Sequence, residues 1–243
     1  RSPTAGAPAV VWNLTDGRAL HVLGLDTQEP MLCVEVSACG TYIVAGGNSE
    51  IVLWEAVSGR ALRRFAWPPG TASSSRAPQL AVTAQGLIVG RSQRGVMVWD
   101  GATGALRGTL GAGRLVESFF LMPDGSRLLT FGWVHVNVWD VASGEHLREL
   151  PGRLVGTVVR ASAAASGDVV AACFESLRFL EVGHGAPLFE PEDAWQRAAE
   201  VWRRYRLRVW DASRGTMLHE ATTPFRRAGA APPCSVAVGP LRW

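Results

Sequence analysis

Apolar residues in this chain fall in short runs, each closed by glycine, proline, asparagine or aspartate. The segment 109–150 shows the pattern most fully. Leu115–Leu121 is apolar enough for a buried inner strand, Pro123, Asp124 and Gly125 make a turn, and Ser126–Phe131 reads as a second strand. Val136–Trp139 reads as a third strand, and His146–Leu150, beyond Gly144, as a fourth, outer one. Turn signals recur roughly every ten residues, which predicts an all-β chain.

The pattern repeats. Six hydrophobic anchors are each followed five residues later by glycine: Trp12/Gly17, Trp54/Gly59, Trp99/Gly104, Trp139/Gly144, Leu180/Gly185 and Trp210/Gly215. The anchors are 42, 45, 40, 41 and then 30 residues apart. A period of about 40–45 residues carrying a Trp-Asp step predicts four-stranded antiparallel units set side by side. A second register supports this: Gly40, Gly86, Gly125 and Gly167 precede their anchors by 13 or 14 residues, where the first strand must turn with positive φ. A third mark is a leucine eight residues after the anchor (Leu20, Leu62, Leu147, Leu188, Leu218), with Leu106 one place early. These leucines are expected to pack the outer strand against its own sheet.

The motifs VWNLTDG, LWEAVSG, VWDGATG, VWDVASG and VWDASRG, with a degenerate FLEVGHG copy at Phe179–Gly185, resemble those of WD-repeat β-propellers over nearly the whole chain. The resemblance implies a β-propeller of four-stranded antiparallel blades. It is specific for fold and almost silent on function, because propellers host many roles. Two family features are missing. No Gly-His pair precedes an inner strand, and the turns before the third strands (Asn48-Ser49, Ser92-Gln93, Trp133-Val134, Glu175-Ser176) lack the usual Asp. The hydrogen-bond network those residues build is expected to be absent, leaving apolar packing to hold the blades.

On this reading residues 1–30 end one blade, 31–67, 78–111, 114–151 and 154–190 are blades, 206–223 is a partial blade, and 234–243 begins a further strand. The propeller is therefore expected to be incomplete, a piece of a longer protein. Residues 191–205 are expected to form a short helical insertion, since Trp195, Ala198, Trp202 and Tyr205 make one apolar stripe at helical spacing. That stripe either packs on the propeller or docks a partner. Arg204, Arg206 and Arg208 alternate beyond it and share one strand face, expected to be a solvated edge.

The chemistry available narrows the function. All 24 basic residues are arginine, which removes phosphate-loop, Schiff-base and kinase-type lysines. A net charge of +3 is weak support for nucleic-acid binding, so nucleic acid is not the expected partner. Cys33, Cys39, Cys173 and Cys234 form no Cys-x-x-Cys pair, so no zinc site or other metal or cofactor site is expected, and they suit a reducing compartment. No run of ~18 apolar residues predicts a membrane span. The five histidines are scattered, and Asp100, Asp140 and Asp211 recur with the repeat, fitting hydrogen bonds within the turn better than catalysis. An enzyme is not expected.

Binding is the better expectation. The loops after the outer strands vary in length, and variable loops on a rigid scaffold carry function. By the resemblance they share the top face with the second-to-third-strand turns, a face that would hold Trp67, Arg76, Arg91, Arg94, Arg114, Trp133 and Arg153. Tryptophan and arginine are enriched at interface hot spots, and an electropositive face prefers an acidic protein segment. The plainer reading is that arginine is simply this chain's only surface cation. The expectation is a non-catalytic protein–protein interaction scaffold, cytoplasmic, within a larger multidomain or multisubunit assembly. The alternatives are a sensor propeller attached to a nucleotide-binding switch domain and a cilium- or microtubule-associated component.

Overall fold

The computed structural model describes residues 8–25, 30–68, 78–113, 116–132, 135–152, 157–164, 168–181, 198–224 and 226–227. Among the described residues every regular element is a strand. The chain divides into two compact units, Arg1–Gly132 with Val136–Glu149, and Trp133–His135 with Leu150–Trp243.

The first unit holds a two-stranded sheet and three four-stranded ones, all antiparallel meanders. The pair is β1 (Ala9–Trp12) and β2 (Ala19–Leu23). The next sheet runs β3 (Cys33–Val36), β4 (Tyr42–Gly46), β5 (Glu50–Glu55) and β6 (Ala61–Ala66). Then come β7 (Leu80–Val82), β8 (Leu87–Ser92), β9 (Gly95–Asp100) and β10 (Leu106–Leu110). The last sheet is β11 (Ser118–Leu121), β12 (Arg127–Phe131), β13 (Val136–Asp140) and β14 (His146–Leu150). Each second and third strand reads as an almost continuous apolar run because both of its faces are buried, as in Ile51–Trp54 and Val96–Trp99.

In β5, β9 and β13 the tryptophan is the last residue but one, and its ring packs onto the preceding sheet. Trp54 sits in one cluster with Leu23, the last residue of β2. Trp99 meets Trp67 edge-on at 5.4 Å and Phe65 of β6 at 6.5 Å. Trp139 packs on a cluster that contains Leu110, the last residue of β10. The outer-strand contact is thus eleven residues after the anchor (Leu23, Phe65, Leu110), and all three are buried.

This corrects the expectation for most of the leucines eight residues after the anchor; Leu62 is half-buried against the cluster of Ile51, Leu53 and Phe65, and Leu188 lies outside the described residues. Leu20, Leu147 and Leu218 are exposed, as is Leu106. The ladder registers explain why. Trp12 faces Ala19 while Val11 faces His21, and Trp54 faces Ala61 while Leu53 faces Arg63, so Leu20 and Leu62 are the extra residues of β-bulges. The same bulge recurs opposite Trp210, where it passes over Leu218. A bulge inserts one unpaired residue and resets which positions face inward. It turns the eighth position outward and brings the eleventh in.

The second glycine register is as expected where it can be seen. Gly40, Gly86 and Gly125 have φ of 71°, 80° and 71°, and each N–H closes the turn on the carbonyl three residues back. Gly167 lies outside the described residues.

The second unit holds one sheet: β15 (Thr157–Ala163), β16 (Val169–Glu181), β17 (Ala198–Asp211) and β18 (Thr216–Thr222), with β19 (Arg226–Arg227) beside β17. It corrects three expectations. Leu180 is no third-strand anchor; it lies in the second strand, opposite Glu200. Residues 198–205, taken as helix, are strand, while 191–197 lie outside the described residues. The proposed blade 154–190 and partial blade 206–223 are therefore one sheet, anchored by Trp210. The helical stripe competes with an alternation of Tyr205, Leu207 and Val209 against Arg204, Arg206 and Arg208 at its C-terminal end. The ladder to β16, regular from Val169 to Leu180, decides for the strand because it pairs backbone groups along its whole length.

The two-stranded sheet gives the control for anchor burial. Trp12 has no second strand beside it among the described residues and is 56% exposed, whereas Trp99 is 3% exposed. Trp99→Ala should cost about 3–5 kcal/mol in guanidinium unfolding, and Trp12→Ala about 1 kcal/mol or less. Equal losses would contradict the packing scheme.

Candidate partner-binding surface

The turn after each anchor is built by its polar residue. Asp100 Oδ1 accepts the N–H groups of Ala102 (3.0 Å) and Thr103 (2.9 Å), and its Oδ2 takes Arg107 Nη2 at 2.7 Å. Asp140 accepts Ser143 N–H at 2.8 Å and Asp211 accepts Arg214 N–H at 2.8 Å. Asn13 does the same work uncharged, accepting Thr15 N–H at 2.8 Å. The Thr103 N–H, then Arg107, lowers the Asp100 carboxyl to about 2. The Ser143 and Arg214 N–H groups lower Asp140 and Asp211 below the ordinary range. These carboxylates are occupied in the turn, as their recurrence predicts.

The residues expected on the binding face separate. Trp67 is buried (8% exposed), its ring against Trp99 and its Nε1–H on Gly47 O at 3.2 Å. Gly90 makes room for it: a Cβ there would stand 2.8 Å from Trp67 and 2.9 Å from Trp99. Arg91 is also buried (7% exposed), with its N–H on Gln79 O. Both are corrections. Trp67 lies just past the outer strand, where it extends the indole packing, and Arg91 lies inside β8 and not in the turn after it. Arg94 is exposed in the two-residue turn between β8 and β9, where Ser92 Oγ accepts its N–H at 3.1 Å. Arg76, Arg114, Trp133 and Arg153 lie outside the described residues.

One bridging residue carries no repeat signal. The Gln79 side chain donates to Phe119 O at 2.7 Å and accepts from Phe119 N–H at 3.0 Å and Ser118 Oγ at 3.2 Å. Its amide stands in for a strand residue between β7 and β11. Near it a pocket of about 260 Å³ is lined by Val36, Val82, Thr83, Phe119, Leu121 and Met122, from the first strands of three sheets and the turns after them.

The second-to-third-strand connection is where the sheets differ most. It covers 47–49, 93–94 and 132–135 in the three complete sheets of the first unit. In the second unit the strands themselves run on, to 13 residues in β16 and 14 in β17, against five or six in the second and third strands of the three four-stranded sheets above. The result is a long β-arm. Its base is fixed by Trp210, whose ring meets Phe174 edge-on at 6.2 Å and whose Nε1–H reaches Pro151 O at 2.9 Å. Above that, Arg208 Nε donates to Glu220 Oε2 at 2.8 Å, Arg206 pairs with the other Glu220 oxygen at 3.4 Å, and Tyr205 Oη meets Glu175 at 3.3 Å. Arg208 is buried, so the sheet edge expected to be solvated is covered at this position.

A search of solved structures finds the β-propeller domain of Cps50 (Swd1) from Myceliophteria thermophila, with a TM-score of 0.56 and 14% identity over 90% of this chain and 82% of that one. No family model matches the chain, and no curated protein does. The protein has the fold of a WD-repeat β-propeller, its blades being the antiparallel meanders described above.

The turn carboxylates give a pH dependence. Their folded-state values lie below the ordinary 3.8, so the stability they supply is complete above pH ~4 and is lost as pH falls towards 2. Because Asn13 shows that an amide can hold this turn, a triple Asp100→Asn, Asp140→Asn, Asp211→Asn variant should keep the fold at neutral pH. Its thermal midpoint should decline less than the parent's between pH 5 and 2; parallel declines would refute the assignment.

Proposed function

We propose that this protein is a non-catalytic interaction scaffold that works in the cytoplasm and grips a protein partner, by an acidic segment, at the second-to-third-strand edge of its blades. The observation that carries the reading is the β-arm. Three sheets close this connection within two to four residues, and the fourth sends out two long paired strands there. A rigid sheet supports the arm at its base through Trp210, so its root is held while its length offers new surface. Arg94, in the second-to-third-strand turn of its own blade, is exposed. Cys33, Cys39 and Cys173 are free thiols, which suits a reducing compartment. The Swd1 domain shares the fold and lends support to the propeller as a display platform, not to any particular partner.

The test is affinity capture from cell extract with the full chain and with a variant whose arm, residues 177–203, is replaced by an Asn-Gly turn. The expected result is a set of co-purifying proteins that is salt-sensitive and lost with the arm, while the thermal midpoint stays within a few degrees. An identical set on both proteins would remove the arm from the binding surface.

A further inference from the structure

The pocket of about 260 Å³ lies among the first strands β3, β7 and β11 and the turns that follow them, so it sits towards the end of these sheets away from the second-to-third-strand connections. Three polar side chains line it: Glu35, Gln79 and Thr83. Gln79 is engaged with Phe119 and Ser118, and Thr83 Oγ1 accepts the N–H of Leu87 at 3.1 Å. Glu35 is different. No hydrogen bond or ion pair reaches its carboxylate among the described residues, and partial burial raises its carboxyl from the ordinary value with nothing to offset the lost water.

Strand alternation shows where that carboxylate faces. Residues two apart on a strand share a face. Cys33 packs against the cluster that holds Leu80 and Val82, so Glu35 faces β7 as well. The other walls are apolar, Val36, Phe120, Leu121 and Met122 among them, and no arginine lines the pocket. Val36 is exposed, so this side is reachable from solvent. An unpaired carboxylate beside apolar and aromatic walls calls for a cation carried on an apolar stem. The cation is organic, because no group of three or more His, Cys, Asp or Glu gathers among the described residues to hold a metal ion. The volume falls below the ~300 Å³ at which pockets for whole small molecules begin, and it suits one long side chain.

We propose that this pocket takes the arginine side chain of a partner peptide, its guanidinium paired with Glu35 and its methylenes on the apolar walls. A guanidinium fits better than an ammonium because it is more weakly hydrated and stacks on aromatic rings, here offered by the half-buried Phe120. No second charge in the lining holds the rest of the ligand inside, so that part lies outside, as a peptide backbone does. The site is apart from the second-to-third-strand edge. It is a further contact and does not rest on the arm.

The test is isothermal titration of the full chain with a Gly-Arg-Gly peptide capped at both ends. The same peptide with lysine, or with citrulline, which keeps the shape and removes the charge, gives the comparisons. The arginine peptide should bind most tightly. Glu35→Gln should weaken it about tenfold or more, the loss of one charge-assisted contact. Ala84→Phe, at an exposed turn position that lines the pocket, should abolish binding by filling the space. Both variants should keep the parent's thermal midpoint within a few degrees. Equal or tighter binding of the lysine peptide overturns the guanidinium assignment, and equal binding of the citrulline peptide overturns the cation. No binding at millimolar peptide, or binding that either variant leaves unmoved, overturns the proposal outright. Partner capture through the arm uses other residues, so its success or failure is read separately.

Discussion

The packing of one indole from each third strand against the end of the preceding outer strand is the contact on which the first unit depends. Trp99 shows it best. Its ring is held by Trp67 and Phe65 from the sheet before it, and Gly90 leaves the space. Such contacts join hydrogen-bonded sheets that share no ladder with each other, and apolar burial packs them together. Where the indole lacks its second-strand neighbour, as at Trp12, the same residue becomes surface.

A small backbone device makes that contact possible. The bulge after the anchor shifts the outer strand by one residue, so Phe65 and Leu110 turn inward while Leu62 is passed over and Leu106 stays exposed. The aspartate turn beside it holds the hairpin closed through backbone N–H groups of its own loop. Polar chemistry is concentrated in the turns, with a few bridges such as Gln79 to Phe119, and apolar packing fills the space between sheets. Trp139 completes the division: its Nε1–H meets Thr130 Oγ1 at 2.9 Å on the adjacent strand of its own sheet, without the Gly-His and Asp partners that WD repeats usually carry.

The arm is the departure from this regularity. An anchor spacing near 41 residues would put the anchor after Trp139 close to Leu180. The chain delays it to Trp210, and the extra length appears as two strands that extend beyond their first-strand partner. Ladder pairing alone carries β16 and β17 past Thr157, the outermost described residue of β15.

The repeat itself was legible in the sequence. Trp54, Trp99, Trp139 and Trp210 mark third strands, Gly40, Gly86 and Gly125 mark tight turns, and Asp100, Asp140 and Asp211 mark self-capped hairpins, because these jobs depend on a few neighbouring residues. Three things depended on tertiary contacts. Burial of Trp67 follows from the Trp99 indole that the next sheet brings against it. The inward eleventh residue follows from a bulge that no side chain announces. The strand at 198–205 follows from pairing with residues some thirty positions earlier, which outweighed a local apolar stripe of helical period. Local chemistry fixed the modules by itself, and only long-range pairing and sheet-to-sheet packing decided which side chains were left to meet a partner.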